Sequence, residues 1–580
     1  LIIKHLPRKS ERLLAHAVVF TAGHLLVLPA TGSAGLGLLD LELAPQAAYG
    51  HTWAMRRRQF FSALALGAGA LPGATAESRP AHRPLGGWIN VRQHGAAGDG
   101  QQVDTQPLQA ALDACAGAGG GTVYFPPGVY LSGTLRLRSR VTLHLAAGAT
   151  LLGSQRLEDY PVLVPGLRSY SDNYTERSLL YGENLESVTL EGRGTIDGQG
   201  GAFRGPYKSR PYLIRLIACE DVVVSGLTLR NSAMWVQHYL ACRGVRIQGL
   251  TVHSFCNANN DGLDLDGCER VRIEGCDIRS GDDALVLKST LDRPCRNVTI
   301  SNCLLSSQCN GLKLGTESNG GFQNITISNC VIYDTRLAGL ALEVVDGGLL
   351  ERVNVANLTM HNTQGAVFIR LGDRARPFKE GMARPAVGQL RGVMIRDLQA
   401  DGADRIGCAV VGLPDHPVRD LTLENVRISF GGGGTRAEAT RSVPELPDKY
   451  PEYNMFGVLP AYGFYCRHVR GLRLRHVQVS CLAADQRPSL VCEDVQDVEL
   501  VGWRAATTDP AAPVVHFHQV RRGLVHGCVC PPGAPVFLQV DGEQSAGLRL
   551  AANDLSGAKQ PIALGHGVPT SAVVAPELKE

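Results

Sequence analysis

From about Val188 onward, apolar and polar residues alternate with a period of two in short phrases that recur along the chain. They run Val222–Leu229, Val245–Val252, Val271–Ile278, Val298–Leu305, Ile325–Ile332 and Val353–Met360, each broken near its middle by Gly or Asn. The residue after that break is Leu227, Leu250, Cys276, Cys303, Cys330 and Leu358, at intervals of 23, 26, 27, 27 and 28. Alternation predicts strands, and a mid-phrase Gly or Asn predicts a bend in each. A unit this short cannot bury its apolar face alone, so it must stack on its neighbours. Leucine-rich repeats have a similar period but need a Leu-x-x-Leu-x-Leu frame and a helix per unit, and here Gly-, Asp- and Ser-rich turns stand between the phrases. The pattern therefore predicts an all-β chain, a single-stranded right-handed parallel β-helix.

Later phrases, Val393–Leu398, Leu421–Ile428 and Leu472–Val479, are more widely spaced, which predicts two inserted loops, Arg374–Leu390 and Gly431–Phe464. Ahead of the repeats, residues 88–154 read as an N-terminal cap. Within it Thr105–Ala116 places Leu108, Ala111, Leu112 and Cys115 on one face of a short helix, with Asp104 or Thr105 as N-cap. Such a helix covers strand edges that the first coil would otherwise expose.

The N-terminal part has a different character. The first methionine is Met55, followed by Arg56-Arg57-Arg58-Gln59-Phe60-Phe61, a small apolar run Ser62–Leu71 and Ala74-Thr75-Ala76. A basic start, a short apolar segment and an Ala-x-Ala end predict an export signal over 55–76, and Arg57-Arg58 resembles the twin-arginine type, which hands folded proteins to their export machinery. Residues 1–54 read as an upstream extension or an unstructured leader. The mature chain, 77–580, is then one catalytic domain, periplasmic or secreted, with no stable membrane anchor.

Composition narrows the function. Lys and Arg number 57 against 54 Asp and Glu, which argues against a dedicated nucleic-acid or polybasic membrane binder. Sixteen cysteines include no Cys-x-x-Cys pair, so a structural zinc site is not expected. Cys276, Cys303 and Cys330 fall at equivalent points on consecutive coils, about 4.8 Å apart, as small core residues; disulfides between neighbours are the alternative.

The candidate chemistry lies in Asn259-Asn260-Asp261-Gly262-Leu263-Asp264 and Gly281-Asp282-Asp283-Ala284. Asp261 and Asp282 are 21 residues apart, close to one coil, so both can lie on one face. Crowded carboxylates raise the pKa of at least one of them and leave an acid beside bases. Inverting glycoside hydrolysis uses such a set: a protonated carboxyl serves the leaving oxygen, and a carboxylate about 6.5–9.5 Å away activates water. A calcium site or a solvated turn is the plainer alternative.

Several further stretches carry a resemblance: Gly95–Gly100, Asp104-Thr105, Gly119–Pro126, Gly128-Val129-Tyr130, Gly148–Ser154, Gly194–Gly198, Arg210-Pro211 and Leu229–Trp235. Over roughly 88–480 the chain resembles glycoside hydrolase family 28, the polygalacturonase family, as a divergent bacterial member. Asn259-Asn260-Asp261 is similar to the family's Asn-Thr-Asp, and Gly281-Asp282-Asp283 to its Gly-Asp-Asp. The resemblance implies a pectin-lyase-like solenoid, a pectin-type poly- or oligosaccharide substrate, an inverting mechanism, no metal and no cofactor. It implies Asp282 as general acid, with Asp261 and Asp283 holding the attacking water.

Two family motifs are absent. Cys309-Asn310-Gly311 stands where the family has Gly-His-Gly, and Ala341-Leu342-Glu343 where it has Arg-Ile-Lys. That basic pair grips a galacturonate carboxylate, which Glu343 would repel. Lys288 and Lys313, or Arg370 and Arg374, are the candidates to take over, and Asn259, Asn310 and Glu343 complete the expected substrate-contacting set. Tyr450, Tyr453, Asn454 and Tyr462 in the second loop either stack on sugar rings or pack on the wall. A polysaccharide lyase and a non-catalytic carbohydrate-binding β-helix are the rival functions.

Overall fold

The computed structural model describes residues 16–21, 24–29, 87–506 and 511–576. Two compact units are present, Leu1–Pro80 and Ala81–Glu580. In the first, strands His16–Thr21 and His24–Pro29 pair antiparallel. The segment 55–76, read above as an export signal, lies outside the described residues, as does the rest of 1–54.

The second unit is a right-handed parallel β-helix. Each repeat phrase pairs in register with the next, so that one column runs Val222, Val245, Val271, Val298, Ile325, Val353, Val393, Leu421, Leu472 and Val498. All ten side chains are buried. Inward residues of successive coils thus form continuous apolar stacks, and each strand's polar residues face outward.

The bends are where the Gly and Asn residues predict them. Gly226, Gly249, Gly275, Asn302, Asn329 and Asn357 all have left-handed backbone, with φ between 55° and 72°. Glycine adopts this region freely, and asparagine tolerates it because its amide can bond locally. Here the amides bond along the stack: Asn357 Nδ2 donates to Asn329 Oδ1 at 2.7 Å. Cys276, Cys303 and Cys330 are fully buried beside these bends, and Leu358 continues their column. All sixteen cysteines are free thiols, so the stack is core filling and the disulfide alternative is not taken.

The cap helix spans Thr105–Gly117 and buries Leu108, Ala111, Leu112 and Cys115. Asp104 occupies the N-cap position without capping through its side chain. Its carboxylate instead accepts from the backbone N–H groups of Ala97 and Gly98 at 2.8 and 2.9 Å, tying the Gly95–Gly100 turn to the helix.

Both predicted loops leave the coil, at 372–388 and 431–463, the second with a one-turn helix, Arg436–Ala439. Tyr453 and Tyr462 are buried in core packing, so they line the wall and offer no sugar platform. The Tyr453 ring explains Gly365: a Cβ there would come within 2.5 Å of it.

Candidate active site

Three parallel strands form the floor: Leu263–Asp266, Leu285–Ser289 and Leu312–Ser318. Leu263, Leu285 and Leu312 align in register and point into the core. Alternation then turns Asp264, Lys288 and Lys313 to the outer face. The turns preceding these strands are also stacked, since Gly262 N–H donates to Asp283 O and Ala284 N–H to Asn310 O, both at 2.9 Å. Asp261, Asp283 and Asn310 therefore follow one another along the helix axis, one per coil.

Asp261 and Asp283 are each 3% exposed. Asp282 is more open and projects beside Asp283, whose N–H donates to Asp282 Oδ1 at 2.9 Å. The Ser307 hydroxyl fixes the turn by donating to Asp282 O at 2.6 Å. The carboxyl oxygens of Asp282 and Asp283 and the Cys309 sulfur lie within 4.8 Å of one another. Those three groups could ligate a cation, but the Lys313 ammonium, 3.4 Å from Asp283 Oδ2, already supplies the positive charge there.

Burial alone would raise the Asp283 carboxyl, yet Lys313, Lys288 and hydrogen bonds from Asn310 and Cys309 outweigh it and hold the pKa below the usual range. Asn310 donates to Asp283 Oδ1 from both its backbone N–H, at 3.2 Å, and its Nδ2, at 2.8 Å. Asp282 moves the other way, raised by burial and by the charge of Asp283. Asp261 is raised well above its usual value by burial, then by Asp264 and Asp282, and its Oδ1 has no hydrogen-bond partner among the described residues. One carboxylate is thus held ionised beside two that favour the protonated form.

Residues 121–445 match Glycosyl hydrolases family 28. The chain belongs to that family. It is 31% identical over 408 residues to a probable polygalacturonase of Vitis vinifera, covering 63% of this chain and 82% of the relative. A second relative, an exo-poly-alpha-D-galacturonosidase of Dickeya chrysanthemi, is 27% identical over 251 residues, or 34% of this chain and 41% of its own length. Among solved structures, the exopolygalacturonase of Thermotoga maritima superposes with a TM-score of 0.54 at 22% identity, covering 68% of this chain and 91% of its own, which shows the fold.

Against the family's motifs, the substituted positions fall at the site. Asn310 is the residue that grips Asp283. Glu343 is fully buried, with its Oε2 3.6 Å from the Lys313 ammonium and neither oxygen hydrogen-bonded. Burial raises its pKa well above the ordinary glutamate value. Lys288 reaches Asp261, Asp264 and Glu317 at 3.6 Å each and lies 4.8 Å from the Trp235 ring centre. Asn259 sits at the rim, where Arg210 Nη2 donates to its Oδ1 at 3.1 Å.

Arg370 is a correction. It pairs in register with Glu343, but its buried guanidinium donates to the carbonyls of Gly412, Glu445 and Leu446 at 3.2, 2.8 and 3.1 Å. The bonds to Glu445 and Leu446 hold the second loop, and the guanidinium is buried there, not open to a substrate. Arg374 donates from Nε to Asp346 Oδ1 at 2.8 Å and lies 5.2 Å from the Tyr450 ring centre, so it lies beside the site but engaged.

Sequence reasoning left several site groups unassigned: Asp264, Glu317, Asp346, Arg376 and Glu452. Asp264 and Glu317 carried a usable signal, being acidic at outward positions of floor strands. Glu452 carried none. The course of its loop brings it to Lys313 at 3.8 Å and to Asn310 Nδ2 at 3.4 Å across 142 residues of sequence.

Proposed function

We propose that the protein hydrolyses O-glycosidic bonds in pectin-type polysaccharide with inversion at the anomeric carbon. The observation that carries this is the contrast between neighbouring Asp282 and Asp283: their carboxyl oxygens lie within 4.8 Å, yet Asp283 is buried 3.4 Å from Lys313 and bonded by Asn310 while Asp282 is more open, which shifts their pKa values in opposite directions. Asp282 gives its proton to the leaving glycosidic oxygen as the bond to the anomeric carbon breaks. Asp283, ionised, takes a proton from water held on its Asp261 side, and that water's oxygen bonds to the opposite face of that carbon. The Asp282 and Asp283 carboxyl oxygens lie within 4.8 Å, below the about 6.5–9.5 Å usual for an inverting pair, so inversion follows from the family resemblance and not from this spacing. The unpartnered Asp261 Oδ1 is available to orient the same water. Family membership and the polygalacturonase named among the relatives support a pectin-type substrate.

The test is proton NMR of a digest in progress. The first-formed reducing end should have the configuration opposite to that of the bond cleaved. Retention would remove the water-activating role, and products with a new ultraviolet-absorbing double bond would make the protein a lyase. We further propose export through the twin-arginine route. Replacing both Arg57 and Arg58 by Lys should leave the protein inside the cell; unchanged export would remove that reading.

A further inference from the structure

We propose that the sugar unit seated over Asp282 and Asp283 carries no free carboxylate. It is a pyranose whose C5 substituent is uncharged, either a methyl-esterified uronate or a neutral sugar. This rests on the hydrolase reading above and names the substrate class of the same site.

The argument is one of charge already compensated. Two ammonium groups stand in the floor, and each faces three protein carboxyls. Lys288 has Asp261, Asp264 and Glu317 at 3.6 Å, and Lys313 has Asp283, Glu343 and Glu452 at 3.4, 3.6 and 3.8 Å. Their side chains are only 7% and 1% exposed. The two guanidiniums nearby are held in the same way: Arg374 pairs with Asp346, and Arg376 pairs with Glu317 and stacks on the Tyr170 ring, 3.5 Å from its centre.

Each of the four cations is thus already in contact with protein carboxyls, and the lysines have almost no exposed face. To reach either ammonium an incoming uronate would have to displace a protein carboxyl already in place; otherwise it would lie beside ionised Asp283 with no cation of its own. A charge placed so is selected against. An uncharged sugar meets no such opposition. Its hydroxyls can donate or accept where the site has unfilled capacity: among the described residues, Asp261 Oδ1 and both oxygens of Asp264 are buried without a hydrogen bond. A buried polar atom left unpaired gains from a ligand hydroxyl that bonds to it.

The experiment compares kcat/KM on three oligomers of equal length and linkage: free-acid galacturonan, the same oligomer fully methyl-esterified, and the same oligomer with its carboxyls reduced to alcohols. Turnover of the free acid at least about tenfold below the better uncharged oligomer is expected, as one unrelieved like charge costs on that scale. Whichever of the two uncharged oligomers is faster identifies the source of the neutral group. Free acid turned over as fast as either, or faster, overturns the proposal alone. No turnover of any oligomer overturns the hydrolase reading and this proposal with it. A second measurement uses Asp282→Asn to hold ligand without cleavage. Affinity for the free acid should not fall with added salt, because no exposed cation meets it. Affinity that falls with salt, as an open cationic clamp would give, overturns the proposal.

Discussion

Asp282 and Asp283 are consecutive in the chain, yet their carboxyls point to different surroundings. Asp283 turns toward Lys313 and the Asn310 amide, while Asp282 turns toward the open cleft and feels chiefly burial and its neighbour's charge. Two identical groups are thereby shifted in opposite directions, set by environment, which is what the proposed acid and base roles require. Asp282→Asn is expected to lower kcat by about 10²–10⁴-fold, the usual worth of a positioned acid, with an unchanged melting temperature. The pH dependence follows from the directions of the two shifts. Activity should rise as pH climbs through the lowered pKa of Asp283 and fall as it passes the raised pKa of Asp282, giving a bell in kcat/KM. Lys313→Met removes the main charge holding Asp283 ionised, so the acid limb should move to higher pH. An acid limb that stays put would show that Asp283 is not the base.

At the level of elements, the strands and their partners are written openly in the sequence, because a period of two fixes which side chains face the core, and the Gly or Asn breaks fix the bends. The cap helix is legible for a similar reason, its four apolar residues matching one helical face. Arg370 was misread for the complementary reason. Alternation places it correctly on the outer face beside Glu343, but where a long guanidinium reaches depends on what the loops bring near it, and the 431–463 loop brings carbonyls. Glu452 escaped notice through that same loop. Arg370→Met should therefore destabilise the protein by about 3 kcal/mol, given three hydrogen bonds from a charged donor, and expose the loop to proteolysis. Chemical denaturation and limited digestion would show this; unchanged stability would mean that the loop holds without it. Thiol chemistry tests the stacked coils. In the native state only the partly exposed Cys256 and Cys309 should react with a thiol reagent, and slowly, because burial pushes both thiols up; all sixteen should titrate after denaturation, and reductant should leave the melting temperature unchanged.

For the whole molecule, stability resides in contacts between neighbouring coils, so the ends matter most. The N-terminal helix buries Leu112 against the first coils, and a charge there would be desolvated without a partner. Leu112→Asp should open the cap, expose strand edges and yield aggregates on size exclusion. Loops emerge on the side that carries the site, while the strands beneath run on uninterrupted. Asp261, Asp283 and Asn310 belong to three successive coils, so their separations along the axis are multiples of the strand spacing, about 4.8 Å. In crystallographic language that spacing is a lattice constant, and Asp261, Asp283 and Asn310 occupy lattice points. Lengthening or trimming a loop can change which sugar is admitted, but the spacing of Asp283 from its partners on the neighbouring coils stays set by the coil.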